Sequence, residues 1–270
     1  MIRLIAIDLD GTLLTDDKRI SKRNKQALQK AKEQGVKIVL CTGRPLAAIT
    51  PFIEELGLNE SGDYSITFNG GLVQKNDTGE ILSKSALPYE DIQRLISLMQ
   101  SLDLPLDVLS EEVVLQLPTS TNYPSIYGEL NKLLTFKPTA IEALKPDELY
   151  NKVVVAYHQE YLDHQIAKIP DSYRQDYEVI KTRSNLLEFM PKGVTKAFGV
   201  AFLADYLNID QAEIMCIGDE ENDLSMIEYA GIGVAMANAI PLVQQAANVI
   251  TASNQADGVA QVVEKYVLNK

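Results

Sequence analysis

Histidine and cysteine are scarce in this chain of 270 residues, which has two of each. Cys41 and Cys216 lie far apart, each inside an apolar run (KIVLCTG and IMCIGD). That pattern excludes a disulfide framework and a cysteine-based zinc site, and it reads as two buried reduced thiols. His158 and His164 are isolated and read as surface or helix residues rather than catalytic ones. Basic side chains are the minority, 25 Lys and Arg against 37 Asp and Glu, giving a formal charge of −12. Such a balance argues against a nucleic-acid or anionic-membrane binder, since both need a positive field. It also disfavours anionic substrates unless a local cationic site overrides the global field. No apolar run reaches the roughly 18 residues needed to span a bilayer. The stretch MIRLIAIDLDGTLL is interrupted by Asp8 and Asp10 and has no small-residue cleavage site, so a cytoplasmic protein is expected.

Apolar residues make up 46% of the chain, ample for a core, and the length suits one large domain or two ordinary ones. Residues 2–7 read as a buried strand and 21–35 as an amphipathic helix capped by Ser21 and stopped near Gly35. Residues 36–41 and 64–68 read as further strands, with a helix over 45–56 between them. The alternation returns after residue 196, with helices near 196–207, 223–229, 241–247 and 258–266 and strands near 213–217, 232–235 and 248–251. Continuous apolar strands alternating with helices imply a parallel sheet covered on both faces. The middle differs. A helix followed by two extended runs occurs twice there (89–102 with DVLSEE and VVLQL; 161–169 with YEVIKT and LLEFM), and NKVVVAY adds a strand. The expected fold is therefore α/β, with a Rossmann-like parallel sheet core and helices on both faces. The core is made from residues 1–83 and 191–270, and an inserted α+β domain with a largely antiparallel sheet fills 84–190.

Four polar segments fall just after apolar strands or before a helix. In Asp8-Leu9-Asp10-Gly11-Thr12, strand alternation lets both carboxylates face one site, and Gly11 allows a sharp turn. Sites in open parallel sheets lie at such strand ends. Taken alone, the segment reads rather as a solvated acidic turn with Thr12 capping a helix. Thr42-Gly43-Arg44-Pro45 offers a hydroxyl and an approachable amide, or simply opens the next helix with Pro45 in its first turn. Asp219-Glu220-Glu221-Asn222-Asp223 clusters four carboxylates and an amide, suited to a divalent cation or to a helix N-terminus. Lys196 is either a positive charge for the site or one more surface lysine. Read jointly, these segments describe one site. All-oxygen donors without a histidine–cysteine set imply a hard ion, Mg²⁺. A carboxylate nucleophile beside it implies a phosphoaspartyl intermediate.

DLDGTLL, CTGRP, KGVTK and GDEENDLSM, in this order, resemble the four motifs of the haloacid dehalogenase superfamily. The position of the insert and the tail GVAMANAIPLVQQAANVITASNQADGVAQVVEKY resemble its Cof-type sugar phosphatases. The resemblance implies Asp8 as nucleophile and Asp10 as the acid that protonates the leaving oxygen and then the base that activates water. It implies Mg²⁺ held by Asp8, the main-chain carbonyl of Asp10 and Asp219, with Asp223 as a supporting carboxylate. Thr42, Gly43, Lys196 and Asn222 would bind the phosphate. It assigns residues 84–190 as a cap domain selecting small phosphorylated metabolites, and the acidic charge balance leads to the expectation of no nucleic-acid or membrane partner. Ala197 stands where the family commonly has glycine, and Thr67-Phe68-Asn69-Gly70-Gly71 replaces the usual T-x-N-G-A. Alternatives are a phosphomutase using the same intermediate, and a non-hydrolytic phosphoryl-accepting or sugar-phosphate-sensing protein. A receiver-type module would place its acceptor after the third strand, not the first.

Overall fold

The structure, a computed structural model, describes residues 1–110, 113–118, 122–132 and 134–269. In chain order the first stretch carries β1 (Leu4–Ile7), α1 (Lys22–Glu33), β2 (Lys37–Cys41), α2 (Thr50–Leu56), β3 (Tyr64–Thr67), β4 (Leu72–Lys75) and β5 (Ile81–Lys84). The middle carries α3 (Tyr89–Ser101), β6 (Asp107–Ser110), β7 (Val113–Gln116), α4 (Tyr127–Leu130), β8 (Thr135–Pro138), β9 (Lys152–Ala156), α5 (Gln159–Ile166), α6 (Asp171–Asp176), β10 (Tyr177–Arg183) and β11 (Leu186–Pro191). The last stretch carries α7 (Lys196–Leu207), β12 (Ile214–Gly218), α8 (Leu224–Tyr229), β13 (Ile232–Ala235), α9 (Pro241–Ala246), β14 (Val249–Ile250) and α10 (Gly258–Val263). Two compact units result: Met1–Lys84 with Thr195–Lys270, and Ser85–Val194.

The first unit is built on an eight-stranded sheet ordered β14-β13-β12-β1-β2-β3-β4-β5. Pairing is parallel from β14 to β3 and antiparallel from β3 to β5. Strand alternation feeds two cores. Ile5, Ile7, Ile38, Leu40, Met215 and Ile217 pack on one face with apolar residues of α1, α2, α9 and α10. Leu4, Ala6, Val39, Cys41, Ile214 and Cys216 pack on the other with Val200, Leu203 and Ala204 of α7. A parallel sheet buried on both faces needs strands that are apolar throughout, and β1 is buried at every position. Burying each of its Leu and Ile side chains contributes about 1.5–3 kcal/mol. Helix α1 starts where Ser21 accepts a hydrogen bond from the Asn24 N–H at 3.1 Å.

The second unit holds a six-stranded sheet ordered β10-β11-β9-β6-β7-β8. It is antiparallel apart from β7 and β8, which run parallel. One face (Val108, Val153, Val155, Leu187 and Phe189) packs on Ile92, Leu95, Ile96 and Met99 of α3 and Leu162 of α5. Among the described residues, no helix is long and apolar enough to cross a membrane.

One local expectation is corrected, and one element is added. The single helix over 45–56 is a 3₁₀ turn (Leu46–Ala48) followed by α2, broken at Ile49, whose φ is −116°. Pro51 explains the restart, since proline lacks an N–H and is tolerated only in a helix's first turn. The β4–β5 hairpin was not anticipated. Its turn, Asn76-Asp77-Thr78-Gly79, carries a glycine at φ +71° and was a legible signal.

Candidate active site

Five backbone segments of the first unit, 8–12, 42–44, 69–70, 195–196 and 219–223, build this site. Asp8 extends β1, its N–H donating to the Ile217 carbonyl at 3.0 Å, so β1 and β12 present their carboxyl ends together. The chain then turns at Gly11, whose φ is +79° and where a Cβ would lie 2.2 Å from Asp219 Oδ2. Only glycine satisfies both conditions. Thr12 Oγ1 donates to Asp219 Oδ1 at 2.6 Å, and Asn238 Nδ2 donates to the Gly11 carbonyl at 2.8 Å.

Lys196 opens α7, with Thr195 as its N-cap. The first turn of α7 is brought close by Gly70, where a Cβ would strike the Thr195 carbonyl oxygen at 2.0 Å. The fully buried ammonium of Lys196 donates to Asp8 Oδ1 and to Asp223 Oδ1, both at 2.5 Å. The second oxygen of Asp223 accepts the N–H groups of Asp219, at 2.8 Å, and Glu220, at 3.0 Å. Asp223 thus braces the loop after β12 with one oxygen and holds Lys196 of α7 with the other.

One carboxylate oxygen from each of Asp8, Asp219 and Asp223 lies within 4.8 Å of the others, and all three residues are buried. One ammonium faces three carboxylates in a low-dielectric setting, so the cluster carries excess negative charge. Burial pushes Asp8 up from 3.8 to about 7, against the pull of Lys196. Burial, with repulsion from Asp223 and Asp8, pushes Asp219 up to about 9. Burial disfavours the charged Lys196, but Asp223 and Asp8 override it and raise its pKa. A divalent cation relieves this imbalance, and an all-carboxylate donor set suits a hard ion such as Mg²⁺. Both Asp223 oxygens are engaged by the protein, whereas Asp8 and Asp219 accept the hydrogen bonds given above on Oδ1.

A second corner forms where β2 and β3 end. Thr42 is buried, and its Oγ1 accepts the Arg44 N–H at 3.2 Å. The Asn69 N–H donates to the Thr42 carbonyl at 3.0 Å. Asn69 Oδ1 accepts from Asn222 Nδ2 at 3.0 Å, and a Cβ at Gly43 would meet Asn69 Oδ1 at 3.0 Å. Asn69 is fully buried in a left-handed conformation, φ 54° and ψ 37°. All eight residues named from the sequence therefore lie in the first unit. The structure adds Thr12 and Asn69 to the site. The Asn-Gly pair at 69–70 is the local signal for the second, while Thr12, read from the sequence only as a helix cap, instead holds Asp219. His158 and His164 lie in the second unit and are exposed.

A family model described as haloacid dehalogenase-like hydrolase matches residues 5–263. YxeH of Bacillus subtilis (strain 168) is 40% identical over 270 residues, with 100% of both chains covered. The 5-amino-6-(5-phospho-D-ribitylamino)uracil phosphatase YitU of the same organism is 30% identical over 280 residues, with 97% of each chain covered. A solved haloacid dehalogenase-like hydrolase from Bacteroides thetaiotaomicron is similar at a TM-score of 0.83 and 31% identity, over 98% of this chain and 99% of that one. The HAD subclass IIB sugar phosphatase BT4131 is similar at 0.82 and 26% identity, over 98% of both chains. The family match spans both halves of the first unit and the insert between them. The chain belongs to the haloacid dehalogenase-like hydrolase family.

Proposed function

We propose that this protein is a Mg²⁺-dependent phosphatase that hydrolyses small phosphorylated metabolites, with sugar phosphates favoured, through a phosphoaspartyl intermediate on Asp8. The observation that carries this reading is the pairing of Asp8 with the buried Lys196 at 2.5 Å inside a three-carboxylate cluster. An ion pair serving the fold alone would not need two further buried carboxyls, Asp219 and Asp223, gathered around the same single cation. YitU, a 5-amino-6-(5-phospho-D-ribitylamino)uracil phosphatase, and BT4131, a sugar phosphatase, support the substrate class.

In the first half-reaction, an Asp8 carboxylate oxygen bonds to phosphorus while the bond from phosphorus to the ester oxygen breaks. Asp10 gives that oxygen its proton. In the second, water attacks phosphorus, Asp10 takes a proton from the water, and the bond to Asp8 breaks to release phosphate. Lys196 balances charge on Asp8 and on the phosphoryl oxygens. The Thr42 hydroxyl, the Gly43 amide and Asn222 hold the non-reacting oxygens. Asp8, the Asp10 main-chain carbonyl and Asp219 would hold Mg²⁺, which supplies neutralisation of the anionic phosphoryl group. Residues 84–190 are read as the cap domain that sets which metabolite is accepted.

The test is a phosphate-release screen across small phosphorylated metabolites with Mg²⁺ present. Release from a subset of sugar phosphates is expected. Isomerised sugar phosphate without free phosphate would instead indicate a mutase, and no turnover with any metal would overturn the reading.

A further inference from the structure

Asp10 is held by two cationic side chains whose contribution to the reaction is otherwise unassigned. Arg44 Nε donates to Asp10 Oδ2 at 2.9 Å and Arg44 Nη2 donates to Oδ1 at 2.7 Å, a two-pronged contact. Lys18 Nζ donates to the same Oδ1 at 2.7 Å. A bidentate guanidinium fixes the plane of a carboxylate, which a single ammonium cannot do.

The two side chains arrive from different places. Arg44 belongs to the turn after β2, where its N–H is held by Thr42 Oγ1 and its carbonyl accepts the Phe68 N–H at 3.4 Å. It therefore ties the proposed phosphate corner to Asp10. Lys18 comes from the loop that follows Asp10, in which the Thr15 N–H donates to the Arg19 carbonyl and the Lys18 N–H to the Thr15 carbonyl. Its φ of 58° is a costly conformation for lysine. The side chain of Lys18 is 55% exposed and that of Arg44 only 16%. An exposed pair contributes little stability, so fold stability gives little reason for a strained lysine at this point.

We propose that Arg44 and Lys18 are positioning residues for Asp10. They fix the carboxylate that passes the proton to and from the reacting oxygens, with Arg44 setting its plane and Lys18 securing one of its oxygens. This rests on the assignment of Asp10 as acid and base. Neither side chain need touch substrate to act, and their effect should scale with how much the leaving oxygen needs a proton.

Two probes of similar size separate this from a merely structural or phosphate-binding role: p-nitrophenyl phosphate, whose leaving oxygen departs readily as an anion, and phenyl phosphate, whose leaving oxygen is more basic. Asp10→Asn is the internal standard; kcat/KM reports the ester-cleavage half-reaction alone, and in this variant it should fall far more on phenyl than on p-nitrophenyl phosphate. Arg44→Met should lose about 100-fold in kcat/KM on phenyl phosphate, the scale of one acid–base catalyst, and roughly threefold on p-nitrophenyl phosphate. Arg44→Lys should not restore the phenyl rate, and Lys18→Met should show the same selectivity at smaller size. Equal losses on both probes in the Arg44 and Lys18 variants, with Asp10→Asn still selective, would overturn the positioning role alone. An unselective Asp10→Asn would overturn the assignment of Asp10, and this inference with it.

Discussion

Gly11 and Asp219 approach so closely that a Cβ on Gly11 would sit 2.2 Å from Asp219 Oδ2, which locks the turn after β1 to the carboxylate after β12. Gly11→Ala meets a steric barrier and a left-handed backbone together. The backbone alone costs about 1–2 kcal/mol. Displacement of Asp219 should lower Mg²⁺ affinity as well, so the variant should unfold earlier and gain less thermal stability from Mg²⁺ than the parent. Melting curves with and without the metal check this.

Thr12→Val is the milder form of the same perturbation. It removes the 2.6 Å hydrogen bond that orients Asp219 and preserves side-chain shape. Loss of a partner that orients a metal ligand typically costs 10–100-fold, so the Mg²⁺ concentration for half-maximal activity should rise by about tenfold with kcat at saturating metal nearly kept.

Metal removal should reveal the raised carboxyls. Asp8 shifts from 3.8 to about 7, and Asp219 from 3.8 to about 9. A carboxyl whose folded-state value is raised gives stability that is fully present below the unfolded value and is lost as pH rises through the folded one. With chelator present, Tm should therefore fall progressively between about pH 4 and pH 9. Mg²⁺ requires the ionised carboxylates, so it should flatten this decline and bind more tightly as pH rises. Differential scanning fluorimetry across pH, with EDTA or Mg²⁺, reads both effects.

Lys196→Met strands Asp8 and Asp223 without their cation. Breaking one side of a buried pair costs about 3–5 kcal/mol. Turnover should be lost, and the stability deficit should shrink at low pH, where Asp8 takes up a proton. Urea titrations at pH 5 and pH 8 compare the two.

Much of this architecture was legible because its signals are local. Each strand of the parallel sheet is a short apolar run, and each motif follows or precedes one. Asp8, Thr42 and Asp219 are placed by the sheet itself, as the first polar residues beyond β1, β2 and β12. Contacts set by tertiary packing were not legible. Thr12 meets Asp219 and Asn69 meets Asn222 across more than a hundred residues, and no periodicity carries such a pairing. The grip of Arg44 on Asp10 is hidden in the same way, since CTGRP reads equally well as the start of a helix. The break at Ile49 was missed because the apolar spacing of 45–56 suits one helix, while Pro51 decides where a helix can start.

The central claim is that Asp8 carries the phosphoryl group. Acid-quenched single-turnover reactions with Mg²⁺ and an accepted substrate, followed by peptide mass spectrometry, test it most directly. The account predicts a transient phosphoryl group on Asp8, absent with EDTA and absent in Asp8→Asn, which should be folded and inactive. Turnover with no phosphorylated protein at any time point, together with near-normal activity in Asp8→Asn, would contradict it.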